Sequence, residues 1–167
     1  MKRLLLTSIL LATTGSALAA AGVIRYKIPN SDFPIAQAVE IPAGQNLVFL
    51  SGAGPDISDK SPDKDSPTAY GNTKVQTLST LKKIEANLKS MGLGMGDVVK
   101  MQVFLVGDPS LGGKMDFAGL MESYRQFFGT AEQPNLPARS AMKVVGLANP
   151  GWLVEIEVTA VRPPAKH

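Results

Sequence analysis

Residues 138–146 read Ala-Arg-Ser-Ala-Met-Lys-Val-Val-Gly, and residues 152–161 read Trp-Leu-Val-Glu-Ile-Glu-Val-Thr-Ala-Val. The apolar and β-branched content of both stretches predicts strands. The Asn-Pro-Gly sequence at residues 149–151 is a turn signal between them. These two C-terminal strands indicate a sheet, and the other predicted elements are placed relative to it.

Upstream residues complete the sheet and add two helices. Strands are predicted at residues 35–41, 47–50 and 98–106. Asn72 or Thr73 can cap a first helix, and Gly92 can end it in the left-handed conformation. Apolar side chains recur at intervals of three and four in both helices: Leu78, Leu81, Ile84, Leu88 and Met91 in the first, and Phe117, Leu120, Met121, Tyr124 and Phe128 in the second.

The predicted order of elements is β-β-α-β-α-β-β, which indicates an α+β fold with two helices on one face of a sheet. Strand residues Val144, Val154, Ile156 and Val158 are too apolar to face water. If the helices cover only one face, self-association is the simplest way to cover the other.

The first nineteen residues have the pattern of a cleaved secretory signal. Lys2 and Arg3 precede an apolar run that is too short to span a membrane, and an Ala-x-Ala ending predicts cleavage after Ala19. We therefore expect a periplasmic or secreted protein, with an extension at residues 20–33 that packs loosely or along a neighbour, a domain at 34–163 and a tail at 164–167.

Composition excludes several function classes. Without the leader, 15 basic residues remain against 14 acidic residues, so the mature chain lacks the concentrated positive charge of a nucleic-acid binder. The chain has no Cys, and its single His is the last residue, His167. Thiol nucleophiles, Ser-His-Asp triads and His-based metal sites therefore have no candidate members.

One group of charged residues lies within the predicted sheet. Arg139 begins a strand, and Glu155 and Glu157 project from one face of the next strand, which we expect to pair with the first. Buried charges are costly unless they are paired or bound to a ligand. The spacing alone leaves two interpretations open, a structural Arg–Glu bridge and a ligand site.

Two motifs resemble the C-terminal signature of the Rid family, also called the YjgF type. They are Leu-Pro-Ala-Arg-Ser-Ala at residues 136–141 and Val-Glu-Ile-Glu-Val-Thr-Ala-Val-Arg at residues 154–162. The Leu-Ser-Gly sequence at residues 50–52 and the Met-Gly-Leu sequence at residues 91–93 agree with the same family. The resemblance runs from about Phe33 to Pro163.

The resemblance implies a chorismate-mutase-like fold and a homotrimer with a central barrel and one ligand cleft at each subunit interface. It also implies hydrolysis of small reactive enamines and imines to 2-keto acids and ammonia, with no metal or organic cofactor. The expected partners are a small carboxylate-bearing substrate and two further copies of the chain, without nucleic acid or membrane.

The resemblance also assigns roles to individual residues. Arg139 would bind the substrate carboxylate, and Glu155 would position or activate the attacking water. Ser51, Gly52 and the backbone around Ala141 would line the cleft. Ile35 stands where deaminase-active members commonly have a Tyr, and Ala141 stands where a Cys is frequent.

Two other functions are weighed against deamination. A non-catalytic binder of small carboxylates in the exported space would use Arg139 but not Glu155. Endoribonuclease activity, which has been attributed to some relatives, is disfavoured by the near-neutral mature charge and the lack of a usable His.

Overall fold

The helices and strands follow the apolar patterns of the sequence, with one additional strand near the N-terminus. The computed structural model describes residues 22–163. Six strands form one sheet: β1 Ile24–Lys27, β2 Ala36–Glu40, β3 Asn46–Ala53, β4 Val98–Val106, β5 Ala138–Val144 and β6 Val154–Arg162. Two α-helices, α1 Thr73–Ser90 and α2 Phe117–Tyr124, pack on the sheet, and short 3-10 turns lie at Pro67–Ala69, Met95–Asp97 and Pro109–Leu111.

The strands lie in the order β1-β2-β5-β4-β6-β3. β4 is parallel to β5 and antiparallel to β6, so β5 and β6 are consecutive in sequence but are not neighbours. The expectation that the strand of Arg139 pairs with the strand of Glu155 is therefore wrong. β4 has a long apolar pattern that pairs along its whole length, and it occupies the central position between them.

The apolar core lies between the helices and one face of the sheet. Every second residue of β4 and β6 is buried there, including Met101, Val103, Val154, Ile156 and Val158. The apolar β6 residues thus face the helices of their own chain. They give no support to self-association, contrary to the argument from sequence.

The opposite surface of the sheet, which we call the open face, carries the alternate residues of the same strands. Phe49, Leu47 and Met142 are exposed on this face, and Phe49 is 74% exposed. Their positions follow from register, because Phe49 pairs with Thr159 and Met142 pairs with Phe104. The open face therefore still has apolar side chains that a partner could cover.

The ends of α1 follow the predicted capping residues. The Asn72 side chain accepts a hydrogen bond from the Val75 amide at 3.1 Å, and Gly92 has a φ of +71° just beyond the last turn. The Nη1 of Arg162, at the end of β6, donates to the Met91 carbonyl at 2.8 Å. This bond ties the end of β6 to the end of α1.

The N-terminal extension is more ordered than expected. β1 pairs antiparallel with β2 and forms the edge of the sheet. The Arg25 guanidinium donates to the carbonyls of Leu136, Val98 and Gly96 at 2.6, 2.9 and 2.9 Å. Loose packing, one of the two arrangements expected for residues 20–33, is therefore wrong at Ile24–Lys27, because Arg25 supplies three bonds that the local sequence pattern does not reveal.

Replacing Arg25 with Met should destabilise the fold by about 2–4 kcal/mol, because three backbone carbonyls lose a charged donor while the apolar stem is kept. Urea denaturation at one protein concentration measures this change. Lys27→Met, at an exposed position of the same strand, is the matched control and should have little effect. Equal stability of the two variants would show that β1 is not anchored through Arg25.

Candidate functional site

Arg139 lies on the helix side of the sheet, beside three aromatic rings. It is the second residue of β5 and pairs with the buried Met101 of β4, so its side chain projects toward the helix layer. Its Cζ lies 4.3 Å from the ring centroid of Tyr124, 5.5 Å from that of Phe33 and 5.7 Å from that of Phe117. These distances allow favourable cation–π contacts on several sides.

The Arg139 guanidinium has no carboxylate partner among residues 22–163. Its Nη1 donates to the Met121 sulfur at 3.2 Å, and a thioether is a weak acceptor. Burial lowers the pKa of Arg139, the nearby Tyr124 opposes this change, and Arg125 adds to it. A half-buried cation without a counter-ion favours the binding of an anion.

Tyr124 is held firmly beside the guanidinium. Its hydroxyl donates to the Pro34 carbonyl at 2.8 Å, and its ring stacks on Phe128 with the centroids 4.9 Å apart. Burial raises the pKa of Tyr124, so the phenol stays protonated and its hydrogen stays on Pro34. The ring therefore provides a fixed surface on which the guanidinium rests.

Ile35 and Ala141 lie on the same side of the sheet as Arg139. Both are half-buried and pack against the core cluster. Ile35 directly precedes β2, whose Ala36 amide donates to the Pro137 carbonyl at 2.9 Å. This bond brings the loop that contains Phe33 next to the start of β5.

Glu155 and Gly52 form a second group, which lies on the open face. Glu155 pairs with Phe104 of β4, and its carboxylate lies against Gly52 at the irregular end of β3. A Cβ atom at position 52 would overlap Glu155 Oε1, so only Gly leaves this carboxylate where it is. Ser51 is adjacent and lines a cavity of about 390 Å³ with Glu157, which accepts a bond from Gln102 Nε2 at 3.1 Å.

Within one chain the two groups do not meet. Arg139 and Glu155 project from opposite faces of the sheet, and β4 lies between their strands. Two strand spacings separate the backbones by about 10 Å. The Arg–Glu bridge considered from sequence is therefore absent among the described residues, and the predicted cleft residues are divided between two surfaces.

The cavities of the single chain also keep these residues apart. Ile35 lines a cavity of about 360 Å³ with Arg125 and Lys27, whereas Gly52 lines a different one of about 470 Å³. Arg139 lines neither of these two cavities. Neither cavity joins Arg139 to Glu155 within one chain.

Sequence analysis missed the aromatic surroundings of Arg139. Phe117, Met121 and Tyr124 belong to the apolar stripe of the second helix, a pattern that predicts packing in the core. Their spacing of four and three residues indicated that they share a face, but not that Arg139 would lie on it. Phe33 is in a loop and gave no signal.

Within residues 22–163, no cluster of three or more His, Asp or Glu side chains is arranged to hold a metal ion. No helix in that same range has both the length and the apolar character to cross a bilayer.

Comparison with known proteins adds independent information. The sequence profile of the family described as "Endoribonuclease L-PSP" matches residues 29–162. A RutC family protein of Haemophilus influenzae is 35% identical over 136 residues, which cover 81% of this chain and 92% of that protein. The 2-iminobutanoate/2-iminopropanoate deaminase of Escherichia coli is 32% identical over 134 residues, which cover 80% of this chain and 91% of the enzyme.

Solved structures agree with the fold. Escherichia coli TdcF with bound serine is 29% identical, with a TM-score of 0.55 over 83% of this chain and 94% of TdcF. The YjgF gene product of the same organism is 30% identical, with a TM-score of 0.54 over 81% and 93% of the two chains. The fold is thus the α+β, chorismate-mutase-like one that the Rid resemblance implied. With the profile match spanning nearly all of the described residues, the chain belongs to the Endoribonuclease L-PSP family, the group of Rid or YjgF-type proteins.

Proposed function

We propose that the protein hydrolyses small 2-imino acids and their enamine tautomers to 2-keto acids and ammonia. The single observation that carries this proposal is the half-buried Arg139 guanidinium, which has aromatic neighbours but no carboxylate partner within residues 22–163. Relatives named as reactive intermediate deaminase and 2-iminobutanoate/2-iminopropanoate deaminase supply the reaction class.

Arg139 binds the substrate carboxylate in this proposal. The planar guanidinium can donate two parallel hydrogen bonds to a carboxylate, which fixes the adjacent C=N carbon. The substrate carboxylate readily displaces the Met121 sulfur from Arg139, because the sulfur is a weaker acceptor than a carboxylate oxygen. The stacked Tyr124 ring keeps the guanidinium plane in place during this exchange.

Glu155 of the partner subunit completes the site. Its carboxylate orients a water molecule, accepts a proton as the oxygen adds to the C=N carbon, and passes that proton to the nitrogen. The same carboxylate then moves the hydroxyl proton of the carbinolamine to the nitrogen, so ammonia leaves as the keto C=O forms. Gly52 lets this side chain lie flat on the end of β3. The reaction consumes only water, so the proposal includes no cofactor.

A homotrimer is part of the same proposal. Two observations support it, namely the exposed apolar residues of the open face and the division of the site residues between two surfaces. A cleft at each subunit interface would join Arg139, Ile35 and Ala141 of one copy to Ser51, Gly52 and Glu155 of the partner subunit.

Export stays a prediction. The leader at residues 1–19 and the proposed cleavage after Ala19 lie outside the described residues, as does the tail at 164–167. A periplasmic or secreted address rests on the sequence pattern alone.

Arg139→Ala should lower kcat/KM for 2-iminobutanoate by about 10²-fold or more, because a desolvated carboxylate loses its charged partner. Glu155→Gln should lower kcat by about 10²-fold with a smaller change in KM, since the variant still binds but cannot accept a proton. The assay generates the imino acid with an amino acid oxidase and follows the keto acid.

Two variants control for nonspecific effects. Glu157→Gln removes a neighbouring carboxylate on the same face, and Arg125→Ala removes an exposed guanidinium near Arg139. Both should keep activity near that of the wild type. If the wild-type protein shows no turnover but binds 2-keto acids, and this binding survives Glu155→Gln, the protein is a carboxylate binder and not an enzyme.

Phe49→Glu should convert the trimer to monomers, because it introduces a charge at the most exposed ring of the open face. Size-exclusion chromatography with light scattering measures the mass, and circular dichroism checks folding. Val75→Glu changes an exposed apolar residue on α1, on the other side of the sheet, and should leave the trimer intact. A monomeric wild type would contradict the proposed assembly.

A further inference from the structure

We propose that Trp152 is a positioning residue for the reaction, because it fixes the end of β3 through Gly54 and so keeps the Glu155 carboxylate in place. This role rests on the proposed function and concerns the proton-accepting half of the same site. Trp152 is the only Trp of the chain. Its ring lies against the Gly54 backbone, two residues beyond the Gly52 that borders Glu155. Trp152 acts through Gly54 and does not touch the substrate.

The end of β3 is irregular at the residues that lie beside Glu155. The pairing register between β3 and β6 shifts between Leu50 and Ala53, so that one residue of β3 has no counterpart on β6. Such a β-bulge interrupts the ladder hydrogen bonds and bends the strand. Gly52 lies within the bulge and against the Glu155 carboxylate, so the position of the carboxylate depends on how the bulge is held.

The Trp152 ring packs on this strand end next to α1. A Cβ atom at position 54 would overlap three carbon atoms of the ring, so only Gly lets the ring lie against this backbone. The Trp152 amide donates to the Asn149 carbonyl at 3.0 Å, which fixes the residue at the turn before β6. Its Nε1 is buried and makes no hydrogen bond to residues 22–163. Shape and packing therefore hold the ring in place.

Polar contacts from α1 hold the same segment from another direction. Lys83 Nζ donates to the Gly54 carbonyl at 2.8 Å and pairs with the Asp56 carboxylate at 2.7 Å. The Asp56 amide donates to the Ser79 hydroxyl at 2.9 Å. Because Lys83 binds Gly54 and Trp152 covers it, the bulge has a fixed anchor two residues from Gly52.

Movement of this anchor would act on one half of the site. Glu155 lies against Gly52, so a shift of the bulge changes where the carboxylate and its water point. A misplacement of about 1 Å at a reacting group can lower a rate by about 10²-fold. Arg139 lies on β5 and on the opposite face of the sheet, so carboxylate binding should not change. Loss of the ring should therefore lower kcat and leave KM nearly unchanged.

The kinetic test compares three variants at a temperature at which circular dichroism shows all of them folded. Trp152→Ala should lower kcat for 2-iminobutanoate by about tenfold or more, with KM within about twofold of the wild-type value. Trp152→Phe keeps an aromatic ring and should retain most of the activity. Asn87→Ala, at an exposed position that borders the same cavity, is the matched control and should have no effect.

A second change separates positioning from a purely structural role. Gly54→Val places a side chain where the ring lies, so the double variant Trp152→Ala with Gly54→Val should recover kcat. Gly54→Val alone should lower kcat, because the new side chain displaces the ring. If Trp152 only stabilises the fold, folded Trp152→Ala protein keeps the wild-type kcat. That result, or a loss of kcat that the folded double variant does not recover, would overturn the inference and leave the deaminase function standing.

Amide NMR tests the positioning without turnover. Glu155→Gln should shift the Gly52 amide resonance, because the two residues are in contact. The shift should become smaller when Trp152→Ala is also present, and should return when Gly54→Val is added. If the wild-type protein turns over no imino acid, the proposed function fails. The resonance still decides the role of Trp152, because an equal Gly52 shift with and without the ring would contradict it.

Discussion

The chemistry proposed for this protein depends on one half-buried cation that no carboxylate among residues 22–163 neutralises. The Arg139 guanidinium rests on the Tyr124 ring at 4.3 Å, and its Nη1 donates to the Met121 sulfur at 3.2 Å. Aromatic rings compensate part of the lost hydration, but they do not replace a carboxylate. The arrangement leaves a strong donor pair ready for an anionic ligand.

The strand order explains why Arg139 and Glu155 do not meet within one chain. Alternation along β6 buries Val154, Ile156 and Val158 under the helices, and the same alternation sends Glu155 to the open face. β4 then separates β5 from β6. Apolar packing and the position of the carboxylate are therefore coupled, which supports the proposed composite site at a subunit boundary.

Much of the fold could be predicted from sequence, because local patterns determine it. Residues 98–106 form β4 with the predicted bounds, and Asn72 and Gly92 bound α1 as expected. The other predicted strands differ at their ends by up to three residues, and α2 ends at Tyr124 although the apolar stripe continues to Phe128. The anchoring of β1 could not be predicted, because the Arg25 side chain donates to carbonyls more than 70 residues away in the sequence. The strand order could not be predicted either, because β4 lies between β5 and β6, which are consecutive in the sequence. Arg139 was identified through its motif, whereas its aromatic neighbours depend on how the loop at Phe33 folds back.

Mixing two inactive variants tests the composite site most directly. Arg139→Ala and Glu155→Gln proteins, unfolded together and refolded as mixed oligomers, should regain about one quarter of wild-type deaminase activity, because random assembly gives that share of interfaces with both residues intact. Each variant refolded alone should stay inactive. Mixed oligomers that form but remain inactive would contradict a site shared between subunits.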